Sequence, residues 1–348
     1  MTMGPTSMQA SRAFLALRPL LLAAGVVAAM GCGGSKAAPS DGGAGQTGAP
    51  GSGAGGGAGQ TGTGGETGGG SGAGGQTACG PRGTYGGGET SMSGASVTAK
   101  IVDETGAPVA GQPIYICGID ICSSPGVTGS DGSASIQTNL SIKRAAFKAG
   151  DSVTYSELAI PLTTAATDFT TGGHALALAK LSDKPGTTLT PGTSVTSGDV
   201  TVTLPAGGQV EINTLVYATT DNQKLRAVAI PLANSGPVLP TMVGGAPADF
   251  ALLYGVAPAD TLLCPAAKVT VALPHKTTAA YNDLGWTPGT AVEFWITTVD
   301  VGQLFAPYAG WAKMSDGVVS ADGSNVATLD GALQGFVTLD NFAIRKVP

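Results

Sequence analysis

The sequence predicts an all-β protein: two tandem antiparallel β-sandwich domains that follow a signal peptide and a disordered Gly-rich tether. Three observations carry this expectation. From Val97 onward, short runs of β-favouring residues are broken by Gly, Pro, Asp and Asn roughly every ten residues, and almost no segment has a helical period. Ahead of them, nearly half of residues 33–77 are Gly, with no aromatic and no β-branched aliphatic residue, so the stretch cannot bury enough apolar surface to offset its ordering entropy. At the start, Arg12 and Arg18 precede a short apolar run from Leu20 to Met30, the two parts of an export signal.

The bulk numbers fit that division. The 348 residues include 56 glycines and only 11% charged side chains, far from ordinary globular usage. The net charge is −6, and −8 without Arg12 and Arg18. An acidic chain with scattered basic residues is unsuited to nucleic acid, which demands clustered Lys and Arg. The same balance argues against electrostatic docking on anionic lipid.

The end of the apolar run, Ala28-Ala29-Met30-Gly31-Cys32, resembles the lipobox of bacterial lipoproteins, where small residues precede a cysteine that is lipidated and becomes the new N-terminus. Gly31 matches the family pattern; Ala29 and Met30 depart from its commoner residues. The resemblance implies lipidation of Cys32 and a membrane partner through that anchor. Gly33 stands where aspartate would be the inner-membrane retention signal, which implies the outer membrane, on its periplasmic face or at the cell surface. The expected division is then a lipoprotein signal peptide over 1–31, lipidated Cys32 and tether over 32–78, a first sandwich over 79–181 and a second over 182–348. As a Gly-rich coil, a tether of roughly 45 residues has a root-mean-square span of about 35 to 40 Å.

Within that tether, GAGQTG occurs at both 43–48 and 57–62, and each copy satisfies G-x-G-x-x-G. A dinucleotide loop requires a strand before it and a helix after it, and neither is expected here, so no nucleotide and no cofactor is assigned.

Removing Cys32 leaves Cys79, Cys117, Cys122 and Cys264, an even number in an exported chain. In IYICGIDICSS, a hairpin with a four-residue turn places Cys117 opposite Cys122 at disulfide range. That pairing leaves Cys79 with Cys264, although four cysteines allow three connectivities in all. Neither C-x-x-C nor zinc-ligand spacing is present.

In the first region, SVTAKIV, a turn at Glu104-Thr105-Gly106, PIYIC, an Asp131-Gly132 turn, SIKRAAFKAG and HALALAKL give about seven strands ending near Leu181. Their order over residues 96–181 resembles the carboxypeptidase regulatory-like domains, small transthyretin-like sandwiches. That resemblance implies a structural or binding module with no catalytic residues to carry over. The Cys117–Cys122 loop is a departure from it. The second region opens on a Pro and Gly linker, SDKPGTTLTPGTS, and continues as DVTVTLPAG, VEINTLVYATT, LRAVAIPL, DFALLYGVAP, KVTVALP, AVEFWITTVD and VVSADGSNVATL. Asp221-Asn222 and Asp316-Gly317 read as hairpin turns, and TPGT at 190–193 and 287–290 as repeated turns. VTLPAG and KVTVALP are similar to a strand-Pro pattern of ZU5-type β domains; the region is otherwise unassigned.

No G-x-S-x-G, no phosphate-binding loop and no H-E-x-x-H occurs, and His174 and His275 read as solvated loop residues. No D-x-D-x-D-G series is present, so no metal is assigned and the Asp-Gly pairs at Asp131, Asp316 and Asp322 read as turns. The remaining candidates for a ligand are Glu293 and Trp295, which alternate to one face of VEFWITT, and Phe305, Tyr308 and Trp311, spaced by three. An exposed strand face and a plug at the end of a sandwich core are the plainer readings of these two groups. The leading expectation is a lipid-anchored, non-catalytic binding or structural module with an envelope polysaccharide or protein partner. The alternatives are a carbohydrate-binding adhesin using Trp295 and Trp311, and an envelope hydrolase using acids of the second region.

Overall fold

Alternation builds the first lobe. In Ser96–Val102, Val97, Ala99 and Ile101 are buried while Thr98 and Lys100 are exposed, the period-two pattern of a half-buried strand. The computed structural model describes residues 90–181, 185–234, 239, 242–243, 246–275, 281–298, 307–331 and 334–347. The segment 1–31 expected to be a signal peptide, Cys32, the Gly-rich stretch, Cys79 and Phe305 lie outside the described residues.

The described strands of the first lobe are β1 (Ser91–Ser93), β2 (Ser96–Val102), β3 (Pro113–Cys117), β4 (Gly126–Val127), β5 (Ser133–Gln137), β6 (Ser141–Lys143), β7 (Ala146–Ala149), β8 (Leu158–Pro161), β9 (Ala166–Asp168) and β10 (Leu176–Ala177). One layer runs β10-β2-β5, with β9 also on β2, and the other runs β4-β3-β7-β8. Between them lies one apolar core, in which Ile101, Ile114, Ile116 and Phe147 are fully buried. Each such side chain contributes about 1.5 to 3 kcal/mol by leaving water. The sheet is not purely antiparallel as expected: β9 and β10 both run parallel to β2. They arrive from segments after β8 that cross back over the sandwich, so no tight hairpin dictates an antiparallel approach.

Turn chemistry follows the sequence. Asp103 Oδ1 accepts from the backbone N–H of Thr105 and Ala107, at 2.8 and 3.0 Å, and Gly106 adopts φ +87°. Gly132 has φ +79°, and a Cβ there would lie 2.2 Å from the Ile101 carbonyl, so both conformation and space demand glycine.

The second lobe holds β11 (Ser194–Ser197), β12 (Val200–Thr203), β13 (Gln209–Glu211), β14 (Arg226–Ala229), β15 (Met242–Val243), β16 (Ala246–Pro247), β17 (Phe250–Ala257), β18 (Thr261–Ala272), β19 (Ala291–Thr297), β20 (Trp311–Val319), β21 (Asn325–Thr328), β22 (Phe336–Leu339) and β23 (Phe342–Lys346). All but β15 and β16 belong to one sheet, ordered β11-β12-β18-β21-β20-β19-β23-β17-β14, with β13 and β22 on the first half of the long β18. The layers of this lobe are therefore continuous, wrapped around a single core that includes Val202, Val269, Phe294, Phe336 and Phe342. Phe336 meets Phe342 edge-on at 5.4 Å.

Several sequence expectations are corrected here. The opening linker is not free: Gly186 N–H donates to Leu225 O, Leu225 N–H donates to Thr187 O, and Leu189 is buried in the core. Residues 186–188 thereby run beside Lys224 and Leu225, just before β14, and Gly186 lies against Val195 and Thr196 of β11. VEINTLVYATT is strand only over Gln209–Glu211; beyond it Asn213 and Thr219 side chains accept from Leu215 and Asn222 N–H, which favours turns over a ladder. Asp316-Gly317 is no hairpin but the interior of β20. Gly317 is there because a Cβ would lie 2.5 Å from the Phe294 ring. The two TPGT turns hold as expected: Thr193 N–H donates to Thr190 O and Thr290 N–H to Thr287 O, with Gly192 and Gly289 at positive φ.

The lobes are joined by three apolar clusters. Val102, Ala177 and Ala179 pack with Ile230, Leu253 and Ala343; Cys117, Ala146 and Ala159 with Tyr308 and Ala309; Leu181 and Val153 with Tyr217 and Ala257. Polar links cross the same boundary. Asn341 Nδ2 donates to Glu157 O, and Arg226 Nη1 donates to Val153 O at 2.9 Å. The half-buried Lys148, paired with Glu157, lies over the Tyr308 ring.

Candidate functional site

Four adjacent strands of the second lobe line up one row of side chains. Register places Phe250 of β17 opposite Arg345 of β23, Arg345 opposite Glu293 of β19, and Glu293 opposite Asp316 of β20. In the next row Trp295 lies opposite Ala343 and Lys313, and one row further Trp311 lies opposite Thr297. A register shift between Phe294 and Trp295 inserts Met314 as the extra residue of β20. That bulge puts Lys313 and Asp316 on the same face as Glu293.

Glu293 is 9% exposed, not the solvated strand face expected from alternation. Its inward neighbours Val292, Phe294 and Ile296 fill the core, as the pattern predicts, but the opposite face is covered too. Glu293 Oε2 accepts from Arg345 Nε at 2.7 Å and from Trp295 Nε1 at 3.0 Å, and Lys313 Nζ lies 3.1 Å from Oε1. Burial pushes the Glu293 carboxyl up, but the hydrogen bonds from Trp295, Arg345 and Lys313 outweigh it and hold the group below its ordinary value. Lys313 also pairs with Asp316 at 2.6 Å, and that contact, against some burial, lowers Asp316. Two cations and two carboxylates thus cancel within one cluster.

The aromatic candidates divide. Trp295 and Trp311 both pack on Phe250, with centroids 6.3 and 6.2 Å away, and Arg345 covers the Trp295 ring at 5.5 Å. Tyr308 is 7% exposed and faces the first lobe. The structure therefore brings Glu293, Trp295 and Trp311 together and directs Tyr308 elsewhere; Phe305 lies outside the described residues.

Arg345, Lys313 and Phe250 were not legible as site residues. Arg345 is 52 residues from Glu293, and only strand register brings them together. A hint lay in FAIRK, where a charge follows a β-favouring run.

Lys313 bridges two carboxylates, the kind of pair a glycoside hydrolase uses. Their chemistry runs the other way. A general acid needs a carboxyl raised toward neutral pH, whereas both Glu293 and Asp316 are held ionised. His174 and His275 are both exposed and outside strands, and His275 Nδ1 lies 2.9 Å from Tyr281 O. Among the described residues no group of three His, Cys, Asp or Glu is placed to hold a metal ion. Cys117 and Cys122 form a disulfide. Cys264 is also disulfide-bonded; Cys79, the partner expected for it, lies outside the described residues. A cavity of about 390 Å³ lies between the lobes, with Glu104 and Lys180 on one side and Asp199 and Val228 on the other.

No protein family matches the chain, and no curated protein matches it. Among solved structures, the Bacillus anthracis TIE protein is 8% identical over 74% of this chain, with a TM-score of 0.19. The match spans 46% of that protein's chain, less than half its length, and at this TM-score it carries no argument about fold or function.

Proposed function

We propose that the protein is a lipid-anchored component of a bacterial cell envelope. Residues 1–31 direct export, Cys32 is acylated, and the Gly-rich segment to residue 78 holds a non-catalytic β head away from the outer membrane. The observation that carries the reading is the oxidised state of the head's cysteines, with Cys117 bonded to Cys122 and Cys264 also disulfide-bonded, as suits an exported chain. The head's two lobes share three apolar clusters, which supports a rigid binding or scaffolding module. A diacylglycerol and an amide-linked chain on Cys32 would exceed the two lipid signals that stable anchoring takes.

Expression of the full chain with Cys32→Ser tests the anchor. The wild type is expected in the membrane fraction with an acylated N-terminus by intact mass, and the variant in the soluble fraction. Equal partitioning of the two would refute the proposal.

A second reading has its own observation: Trp295 and Trp311 are both only partly buried and flank one Phe250 ring. Such a surface suits a polysaccharide, with Glu293 and Arg345 fixing its rim. Pull-down on insoluble envelope polysaccharide should weaken for Trp311→Ala with folding intact. Unchanged capture sinks this second reading.

A further inference from the structure

We propose that the Cys117–Cys122 disulfide is a redox-controlled clasp at the contact between the two lobes, opened by a dithiol reductant and closed again on reoxidation. Two independent features of the molecule meet at this point.

The first is a rigid loop. The bond closes Gly118–Ile121 against β6, where Ile119 N–H donates to Lys143 O at 3.1 Å and Lys143 N–H donates to Asp120 Oδ1 at 3.0 Å. Gly118 permits that seating, since a Cβ would lie 2.1 Å from the Lys143 carbonyl. Four residues are thus closed covalently at both ends and hydrogen-bonded to β6 along one side. They present the disulfide to the other lobe, where Cys117 and Cys122 share an apolar cluster with Tyr308 and Ala309.

The second is a strained turn. Ala309 is fully buried with φ +59°, a left-handed conformation that costs any residue with a Cβ. Its own turn holds it in part: Ala309 N–H donates to Thr298 O at 2.6 Å, Thr298 N–H to Gly310 O at 3.0 Å, and Gly310 N–H to Pro307 O at 2.8 Å. Strain of this kind persists only where the surroundings over-determine it. Here the surroundings of Tyr308 and Ala309 include the disulfide loop. Opening the bond removes the covalent closure of that loop and leaves it only its hydrogen bonds to β6, which loosens the wall of the cluster and lets the turn relax, two residues before Trp311.

Access sets the direction of the chemistry. Cys117 is 3% exposed, whereas Cys122 is only partly buried, so a thiolate of the dithiol attacks Cys122 Sγ. The Sγ–Sγ bond breaks, a mixed disulfide forms at Cys122, and the Cys117 thiolate takes up a proton. The reductant's second thiol then displaces Cys122 as a thiol and leaves with its own disulfide formed. Two electrons and two protons pass to the protein, and the reductant is oxidised by two electrons.

The test is amide hydrogen exchange on the full oxidised chain, compared with Cys117→Ala/Cys122→Ala, which leaves Cys264 untouched. Exchange at Thr298, Ala309 and Gly310 should rise about tenfold or more in the variant, on the scale of a released left-handed alanine, while Val97–Ile101 and Val269–Val271 keep their protection. Adding Ala309→Gly, which removes the strain, should restore most of the protection at Thr298 and Gly310. Unchanged exchange in the double variant, or loss spread evenly through both cores, overturns the proposal. If the double variant does not fold, the wild type is titrated with dithiothreitol and Cys122 alkylation is followed beside exchange. Turn exposure that tracks alkylation ahead of any loss of core protection supports the clasp, and simultaneous loss of both overturns it.

Discussion

Glu293 and Arg345 face each other across β19 and β23, and the Glu293 carboxylate takes the Arg345 Nε–H at 2.7 Å with both side chains almost wholly out of water. Removing Glu293 leaves the Arg345 guanidinium buried without its carboxylate, whereas removing Arg345 still leaves Glu293 paired with Lys313. Glu293→Ala should therefore cost roughly 3 to 5 kcal/mol, while replacing both Glu293 and Arg345 by methionine should cost markedly less. Urea denaturation of the three chains decides it: equal losses in the single and double variants would show that packing, not charge, dominates.

The same cluster gives a pH dependence with a definite sign. Glu293 and Asp316 are both lowered in the folded state, from ordinary values of 4.5 and 3.8. Groups of this kind contribute stability that is present above their unfolded values and lost as pH falls through the folded ones. Stability should thus fall below about pH 4.5, and that fall should flatten in the double methionine variant. A parallel pH profile for both proteins would contradict the assignment.

Asp322 should titrate abnormally low, at about 2, because the Ser320 hydroxyl and the Ser324 N–H and hydroxyl donate to its carboxylate. Carboxyl-carbon chemical shifts followed against pH report this directly. In Ser320→Ala/Ser324→Ala the midpoint should move up toward 3.8. A wild-type midpoint already at the ordinary value would rule out the turn geometry at Ser320–Ser324.

Gly317 and Gly323 follow aspartates and look alike in sequence, yet they should fail differently. Gly317→Ala forces a methyl to 2.5 Å from Phe294 and 2.7 Å from the Ala327 carbonyl, an overpacking cost of about 1 to 3 kcal/mol. Gly323→Ala meets a positive φ of +73° as well as the Tyr281 side chain at 2.7 Å. Replacing Tyr281 by alanine should therefore relieve only part of the second loss. Full rescue of Gly323→Ala by Tyr281→Ala would mean that the backbone angle carries no strain.

Tyr308→Ala should destabilise the joined head by roughly 3 to 5 kcal/mol, the range for emptying a buried aromatic site. Because Tyr308 sits between lobes, calorimetry should show one transition in the wild type and two in the variant. Two transitions in the wild type would mean that the lobes unfold independently from the outset.

Local rules in this chain were legible because each is decided within a few residues. The buried alternation of Val97, Ala99 and Ile101, the left-handed glycines of the two TPGT turns, and the Cys117–Cys122 spacing needed no distant information. What escaped was decided by register and by the other lobe. Nothing near Glu293 announces Arg345, and nothing in GQVEINTLVYATT announces that Tyr217 will be buried beside Leu181 and Ala257 with its hydroxyl accepting from Ala259 N–H at 2.7 Å. Period-two alternation also assumes that one face of a strand meets water. β19 breaks that assumption, with Glu293 and Thr297 buried opposite the core.

The placement of Gly186–Thr188 beside the residues that lead into β14 has a bearing on how copies of this protein tolerate one another. An uncovered flank is a template on which a neighbouring chain can lay its own backbone, and crowding at a surface makes that encounter frequent. Here Leu225, the residue just before β14, is already engaged by Gly186 and Thr187, and within β14 Ser197 Oγ takes the Ala227 N–H at 3.1 Å. A few residues of apparent linker thus cover the start of the last strand of the main run and shorten the backbone it offers a second molecule, so high local density has less edge from which to seed fibres on that side.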